Sequence, residues 1–221
     1  MNNRLVVIFG TETLSSLAWY YLEHDSPCSV PAFTVDKAYM KLDRHEGLPV
    51  VAFEDLEDHF PPGSAEILIP LGFKRINGLR KDVFARALSK GYTLASYVSS
   101  RACTWPDLHV RENTLISENA VVGPFSSIGK NCNIRSNAHI SHHNRIGDHV
   151  YVAPGAVFGG KVTVGDQAVI GLGAVLRSGI TVAPRSFVGA GAVVIKDTAP
   201  DCVYVGNPAK VFPKSVMEVT G

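Results

Sequence analysis

The chain has 221 residues, with 21 lysines and arginines against 20 aspartates and glutamates, and its formal net charge is +1. A nearly neutral chain indicates neither a nucleic-acid partner nor a membrane surface, and no apolar run approaches the roughly 20 residues of a membrane span. The segment from Met1 to Phe9 is too short for a cleaved signal sequence, so we expect a cytoplasmic protein. The four cysteines have neither metal-ligand nor disulfide spacing.

Residues 1–95 predict a small α/β domain, because apolar strands alternate with amphipathic helices. The first strand covers residues 5–9 and ends at Gly10, and the first helix covers residues 13–23. Further strands are predicted at 30–35, 49–52, 66–71 and 93–98, and further helices at 54–60 and 77–90. This alternation is typical of a Rossmann-like parallel sheet, and residues 96–109 follow it as a linker.

The next segment, residues 110–197, keeps an apolar residue at every sixth position without a break. The positions are Val110, Ile116, Val122, Ile128, Ile134, Ile140, Ile146, Val152, Phe158, Val164, Ile170, Leu176, Val182, Val188 and Val194. A helix repeats at 3.6 residues and a strand at 2, so a period of six instead predicts a left-handed parallel β-helix. Three hexads close a coil of eighteen residues, which gives about five coils, and residues 198–221 form a C-terminal extension. Glycine often follows the apolar residue, beside the positions where we expect tight turns.

Four of the eight histidines lie in the segment 137–149, the densest group of candidate catalytic side chains. None is at an inward position, so a polar outer surface is the simplest interpretation of each one. His143 and His149 lie on different sides of the coil and cannot converge on one metal ion within a chain. A metal shared between subunits, as in γ-type carbonic anhydrases, would need His109 as a further ligand. We therefore expect no metal and keep a metal-dependent hydratase as an alternative.

His142 is better suited to acid–base chemistry, because Gly160 follows it by eighteen residues and stacks above it at about 4.7 to 4.9 Å. Gly159-Gly160 is the only Gly-Gly pair of the solenoid, and it is either a tight corner or an opening for a ligand. An imidazole beside an open amide provides a general base and an oxyanion donor. We predict direct acyl transfer from a thioester to an amine or a hydroxyl, since no cysteine or Ser/His/Asp set accompanies His142.

Several motifs are shared with a known group of bacterial enzymes. They are Val7-Ile-Phe-Gly10-Thr11, Gly72-Phe-Lys74-Arg75, His142-x-x-x-Ile146-Gly147-Asp148, Gly159-Gly160 and Val205-Gly206-Asn-Pro208-Ala209-Lys210. On these motifs the chain resembles, over nearly its whole length, the hexapeptide sugar acyltransferases of the sialic-acid O-acetyltransferase-like family. That family includes N-acetyltransferases that act on UDP-4-amino sugars.

The resemblance implies a homotrimer that uses acetyl-CoA as co-substrate, with His142 as general base and the amide of Gly160 at the oxyanion. It also implies that pantetheine lies near Gly173 and Gly191, with Lys210 facing a phosphate of the nucleotide end. The sugar nucleotide would bind to the α/β domain near Gly10, Thr11, Asp36 and Lys74.

Two positions depart from the family pattern. His143 stands where relatives often place an acidic residue, so the group that orients His142 is open among Asn144, Asp148 and a neighbouring subunit. Glu12 lies in the expected phosphate turn and would repel a pyrophosphate, so the acceptor either differs or is held by other loops. We predict an acetyl-CoA-dependent N-acetyltransferase for a nucleotide-linked amino sugar of polysaccharide biosynthesis. Sugar O-acetylation and a non-catalytic scaffold are kept as competing hypotheses.

Overall fold

The computed structural model describes residues 4–221, so the first three residues of the predicted α/β domain lie outside the described chain. The N-terminal domain is a mainly parallel sheet with strand Arg4–Phe9 at its centre. Its strands are Arg4–Phe9, Cys28–Ser29, Phe33–Val35, Arg44–His45, Leu48–Ala52 and Glu66–Leu68. Its helices are Thr13–Asp25, Leu56–His59 and Gly78–Ser89, with 3-10 turns at Lys37–Tyr39 and Phe53–Asp55. Within residues 4–221, no helix is long and apolar enough to cross a bilayer.

The central strand is apolar at successive positions because both of its faces are covered. Val6 and Ile8 pack in one core cluster with helix Thr13–Asp25. Val7 and Phe9 pack in another with helix Gly78–Ser89. The sheet is therefore a buried parallel layer between helices, in agreement with the predicted α/β domain.

The predicted strand at 93–98 is divided between the two halves of the chain. Leu94 bridges to Ile67 in the N-terminal sheet, whereas strand Tyr97–Val98 pairs with Leu115–Ile116 of the solenoid. Cys103 also bridges to Val121, eighteen residues later. The predicted linker 96–109 thus already contributes solenoid pairing, because its chain follows the same eighteen-residue register as the coils above it.

The solenoid is a triangular parallel β-helix with three sheets, one for each side. Its two-residue strands are Leu115–Ile116, Val121–Val122, Ser127–Ile128, Asn133–Ile134, His139–Ile140, Arg145–Ile146, Tyr151–Val152, Val157–Phe158, Thr163–Val164, Val169–Ile170, Val175–Leu176, Thr181–Val182, Phe187–Val188 and Val193–Val194. Each strand from Leu115–Ile116 to Val175–Leu176 pairs in parallel with the strand eighteen residues along, so the register predicted from the hexads is confirmed. Strand Val203–Val205 continues one sheet, strand Lys210–Phe212 pairs with it antiparallel, and helix Val216–Thr220 ends the chain.

The three sides differ in what covers them. The domain-facing side carries Tyr151, Val169 and Val203, which pack with Ile76 and with the C-terminal helix residue Val216. The polar side presents the outward residues Ser127, Arg145, Thr163 and Thr181, all exposed. The valine side presents Val121, His139, Val157, Val175 and Val193, and Val157 and Val175 are 41% and 38% exposed. One side is thus covered by the chain itself, one is polar, and one is apolar and open.

The glycines that follow the inward residues lie beside the turns, as expected, but none of Gly123, Gly129, Gly147, Gly159, Gly165, Gly171 and Gly189 has a positive φ. Left-handed backbone instead recurs at every sixth residue from Asn113 to Gly191, and these residues lie at the corners between successive sides. A Cβ on Gly123 would lie 2.7 Å from the carbonyl carbon of Ser141, and one on Gly171 would lie 2.6 Å from the carbonyl oxygen of Val188. These glycines are therefore needed for close stacking of successive coils.

The two domains are joined by Arg80, a fully buried residue of helix Gly78–Ser89. Its guanidinium donates to the carbonyls of Leu71 and Gly72 in its own domain, and to those of Asn131, His149 and Val150 in the coils. Burial lowers the pKa of Arg80 to about 10, so the group is still charged at neutral pH. A buried cation surrounded by five carbonyl acceptors fixes the position of the sheet relative to the solenoid.

Candidate functional site

His142 lies in the corner that follows the valine side, and its ring covers Gly160 of the next coil. A Cβ built on Gly160 would lie 2.5 Å from Cε1 and 2.7 Å from Nε2 of His142. These distances place the imidazole against the glycine backbone, as the eighteen-residue spacing predicts. Glycine at 160 is the residue that leaves room for this ring.

His143 is in contact with the ring of His142. The two Nδ1 atoms lie 3.1 Å apart, and the rings are nearly perpendicular with centroids 5.2 Å apart. A His142 tautomer with its proton on Nδ1 donates to His143, and its Nε2 then carries the lone pair of a base. His143 is therefore in a position to fix this tautomer of His142.

Phe125 supports this pair from the coil below. Its ring centroid lies 4.7 Å from that of His143, and the residue is 69% exposed with a φ of 59°. The other left-handed corner residues from Asn113 to Gly191 are glycine or polar, which makes an exposed phenylalanine there unusual. Its contact with His143 gives the ring a structural role beside the candidate base.

The amide of Gly160, our candidate oxyanion donor, is already bonded. It donates to the Oγ of Ser178, which lies 3.2 Å away in the next coil. A Cβ on Gly159 would lie 2.4 Å from that oxygen and 2.5 Å from the amide nitrogen of Ser178. The two glycines thus make room for different neighbours, Gly160 for the ring below and Gly159 for the serine above. Ser178 was not among the predicted site residues, although counting eighteen residues on from Gly160 leads to it.

The other candidate orienting groups face elsewhere. Asn144 is fully buried, and its amide donates to the carbonyls of Ser141 and His142 while its oxygen accepts from Val162. It therefore holds the backbone of His142 and does not contact the ring. Asp148 accepts from the amide of Lys130, eighteen residues earlier, at a different corner.

His149 is buried, and our interpretation of it as part of a polar outer surface is wrong. Its Nδ1 accepts from the Asn131 side chain at 2.7 Å, and its ring meets Phe84 of the N-terminal domain edge-on. Burial lowers the pKa of His149 to about 4, so the ring is neutral at pH 7. In residues 4–221 no group of three or more His, Cys, Asp or Glu side chains could hold a metal ion.

The residues predicted to bind the cofactor lie on open corners. Gly173 and Gly191 continue a row that begins at Gly155, and a Cβ on any of the three would meet nothing within 4 Å. The amides of Gly173 and Gly191 donate to carbonyls of the coil below, so this row provides space instead of free donors. Lys210 lies on the strand Lys210–Phe212 with an exposed side chain.

The residues predicted to bind the sugar nucleotide follow neighbouring parallel strands, at one edge of the N-terminal sheet. Gly10, with a φ of 107°, and Thr11 end the central strand, and a Cβ on Gly10 would lie 2.6 Å from Ser15 Oγ. Asp36 is bonded by both terminal nitrogens of Arg86, so its carboxylate already has a cationic partner. Lys74 is exposed and precedes three left-handed residues, 75–77, where Thr220 accepts from two of the amides.

Comparison with known proteins identifies the type of solenoid. Residues 107–142 match the family model of the bacterial transferase hexapeptide (six repeats), which is consistent with the predicted left-handed form. No curated protein sequence matches the chain.

Solved structures match nearly the whole chain. A mutant of perosamine N-acetyltransferase from Caulobacter crescentus, in complex with CoA and GDP-perosamine, has 25% identity and a TM-score of 0.87, covering 95% of this chain and 97% of that one. The acetyltransferase domain of PglB from Neisseria gonorrhoeae FA1090 has 23% identity and a TM-score of 0.85, covering 95% of this chain and 100% of that one. WeeI from Acinetobacter baumannii AYE has 22% identity and a TM-score of 0.82, covering 95% and 100%. The last two establish the fold alone.

The matched repeats and the two-domain fold shared with an N-acetyltransferase over nearly its full length identify the chain as an acyltransferase built on hexapeptide repeats.

Proposed function

We propose that the chain transfers an acetyl group from acetyl-CoA to an amino group of a nucleotide-linked sugar. The observation that carries the proposal is the contact between the His142 ring and the backbone of Gly160 at an exposed corner. The perosamine N-acetyltransferase similar to this chain holds CoA and GDP-perosamine, which supports this donor and this class of acceptor. Within the family we favour the sialic-acid O-acetyltransferase-like branch, because the chain shares the motifs of that branch.

In the proposed reaction, Nε2 of His142 accepts a proton from the acceptor amine as the nitrogen attacks the thioester carbon. The Nδ1 contact with His143 holds the ring in the required tautomer. The tetrahedral intermediate then collapses, the C–S bond breaks, and the imidazolium returns its proton to the sulfur of coenzyme A. No covalent enzyme intermediate is needed, and buried Cys132, whose pKa burial raises to about 12, takes no part.

We further propose a homotrimer in which the valine side meets a second copy of the chain. The domain-facing side is already covered and the polar side is suited to water, which leaves the exposed valines as the apolar surface for association. This side ends at the corner that carries His142. The open row of glycines borders its other edge and gives a pantetheine arm room to lie between coils.

Release of free thiol from acetyl-CoA tests the donor and the acceptor together. The acceptor panel pairs GDP- and UDP-linked amino sugars with their hydroxyl counterparts, so that N- and O-acetylation are separated. We expect release with an amino sugar, and an inactive panel would contradict the proposed function.

Substitution of His142 tests the base. We expect His142→Ala to lower kcat at least about a hundredfold while the oligomer is retained, because general bases typically contribute that much. His109→Ala is the matched control, since His109 is exposed and would matter only for the metal-dependent alternative. Full activity of His142→Ala would remove the proposed mechanism, and an equal loss of activity in His109→Ala would show that the loss is not specific to the proposed base.

A further inference from the structure

Ser178 is bonded to the amide of Gly160, the group that we proposed as the oxyanion donor. Its Oγ accepts the amide hydrogen of Gly160 at 3.2 Å, and Gly159 provides the room that this oxygen occupies. An amide has a single hydrogen, so this bond leaves Gly160 without a hydrogen for another acceptor. A thioester oxygen therefore has to displace the serine or use a different donor.

The hydroxyl of Ser178 is chemically able to be that different donor. An oxygen that accepts one hydrogen bond still has its own O–H to give, and accepting a bond strengthens the one it donates. Ser178 is exposed, so its free hydrogen is available on the surface of the same corner. His142 and Ser178 lie two coils apart, about 9 to 10 Å along the stack, and both side chains meet the Gly159-Gly160 segment between them. This spacing leaves room for an attacking amine near one and a carbonyl oxygen near the other.

On the basis of the proposed function, we propose that the Ser178 hydroxyl, bonded by the amide of Gly160, donates the hydrogen bond that stabilises the oxyanion. The reaction is otherwise unchanged. As the amine attacks, negative charge collects on the thioester oxygen, and the O–H of Ser178 points at that oxygen without transferring its proton. Gly160 then acts through the serine, while the space above its backbone still receives the ring of His142.

The alternative is that Ser178 only covers the amide until substrate arrives and Gly160 donates directly. The two arrangements predict opposite results for Ser178→Ala. If Ser178 donates, its removal lowers kcat by about a hundredfold or more, the usual loss for one oxyanion donor, and leaves KM for acetyl-CoA nearly unchanged. If Gly160 donates directly, removal of the serine frees the amide, and kcat stays the same or rises.

The experiment measures kcat and KM by thiol release, with the amino sugar on which the wild-type chain is active, for Ser178→Ala, Ser178→Thr and Ser127→Ala. Ser178→Thr keeps the hydroxyl and should stay within about tenfold of the wild type. Ser127→Ala changes an exposed serine of the polar side and should have no effect. Thermal unfolding of each variant separates loss of the donor from loss of the fold.

A kcat of Ser178→Ala equal to or above that of the wild type would overturn the inference and leave the proposed function standing. A fall in melting temperature at constant kcat would likewise reduce Ser178 to a structural role. A wild-type chain that releases no thiol with any acceptor would instead refute the proposed function, and the role of Ser178 would fail with it.

Discussion

Replacement of Gly160 with alanine should lower activity about a hundredfold without unfolding the chain. The new Cβ would lie 2.5 Å from Cε1 of His142, whereas ordinary contact begins near 3.4 Å, so the ring has to move by roughly 1 Å. The ring is the free end of an exposed side chain, and its movement costs the fold little. A displacement of this size at a reacting group typically lowers the rate about a hundredfold.

Gly159→Ala is the matched comparison, because its Cβ meets backbone atoms of Ser178 as well as the end of that side chain. The nearest backbone atoms are the amide nitrogen and Cα of Ser178, at 2.5 and 2.8 Å. We therefore expect Gly159→Ala to lower the melting temperature by several degrees, and Gly160→Ala to keep it within about a degree. Thiol release and thermal unfolding on both variants separate the two effects. Wild-type turnover in Gly160→Ala, or equal destabilisation of both variants, would refute the placement of the ring.

Further substitutions test the inter-domain contacts and the histidine pair. Arg80→Met removes the donor shared by five carbonyls and should lower the free energy of unfolding, measured in urea, by at least about 3 kcal/mol. Arg4→Ala is the control, because it removes an exposed ion pair and should lower the same free energy by about 1 kcal/mol or less. His149 titrates near 6.5 when unfolded and near 4 when folded, so stability falls as the pH drops across that window, by up to about 1.4 kcal/mol per unit. His149→Asn should flatten this slope in unfolding measurements at pH 7 and pH 5. His143→Ala should lower kcat about tenfold at constant KM for acetyl-CoA, and Phe125→Ala should lower it less.

The six-residue period predicts the solenoid well because each coil determines which residues of the next coil stack on it. Once three hexads close a turn, residues eighteen apart have to stack, and the position of His142 against the backbone of residue 160 follows from counting. The same count reaches Ser178, which was not predicted because the count stopped one coil short. Contacts within the stack are therefore predictable from the spacing alone.

Contacts between the two domains were not predictable in the same way. The hexads indicate which corner carries His149, but not that helix Gly78–Ser89 covers this corner and makes the imidazole neutral. The reason for each glycine is likewise not predictable, since a one-dimensional pattern does not separate a turn that needs positive φ from a coil that leaves no space for Cβ. Gly123 belongs to the second class and Gly173 to the first.

The bonds of Arg80 also limit how this enzyme can be recombined with its relatives. A chimera that replaces residues 4–95 with a different α/β unit would introduce new loops, but it would also remove the side chain that the carbonyls of Asn131, His149 and Val150 share. A graft that lacks an arginine at this position would bury those three carbonyls against the new unit without a cationic hydrogen-bond donor. Exchange of loops alone, with helix Gly78–Ser89 kept, is the route that leaves this junction intact.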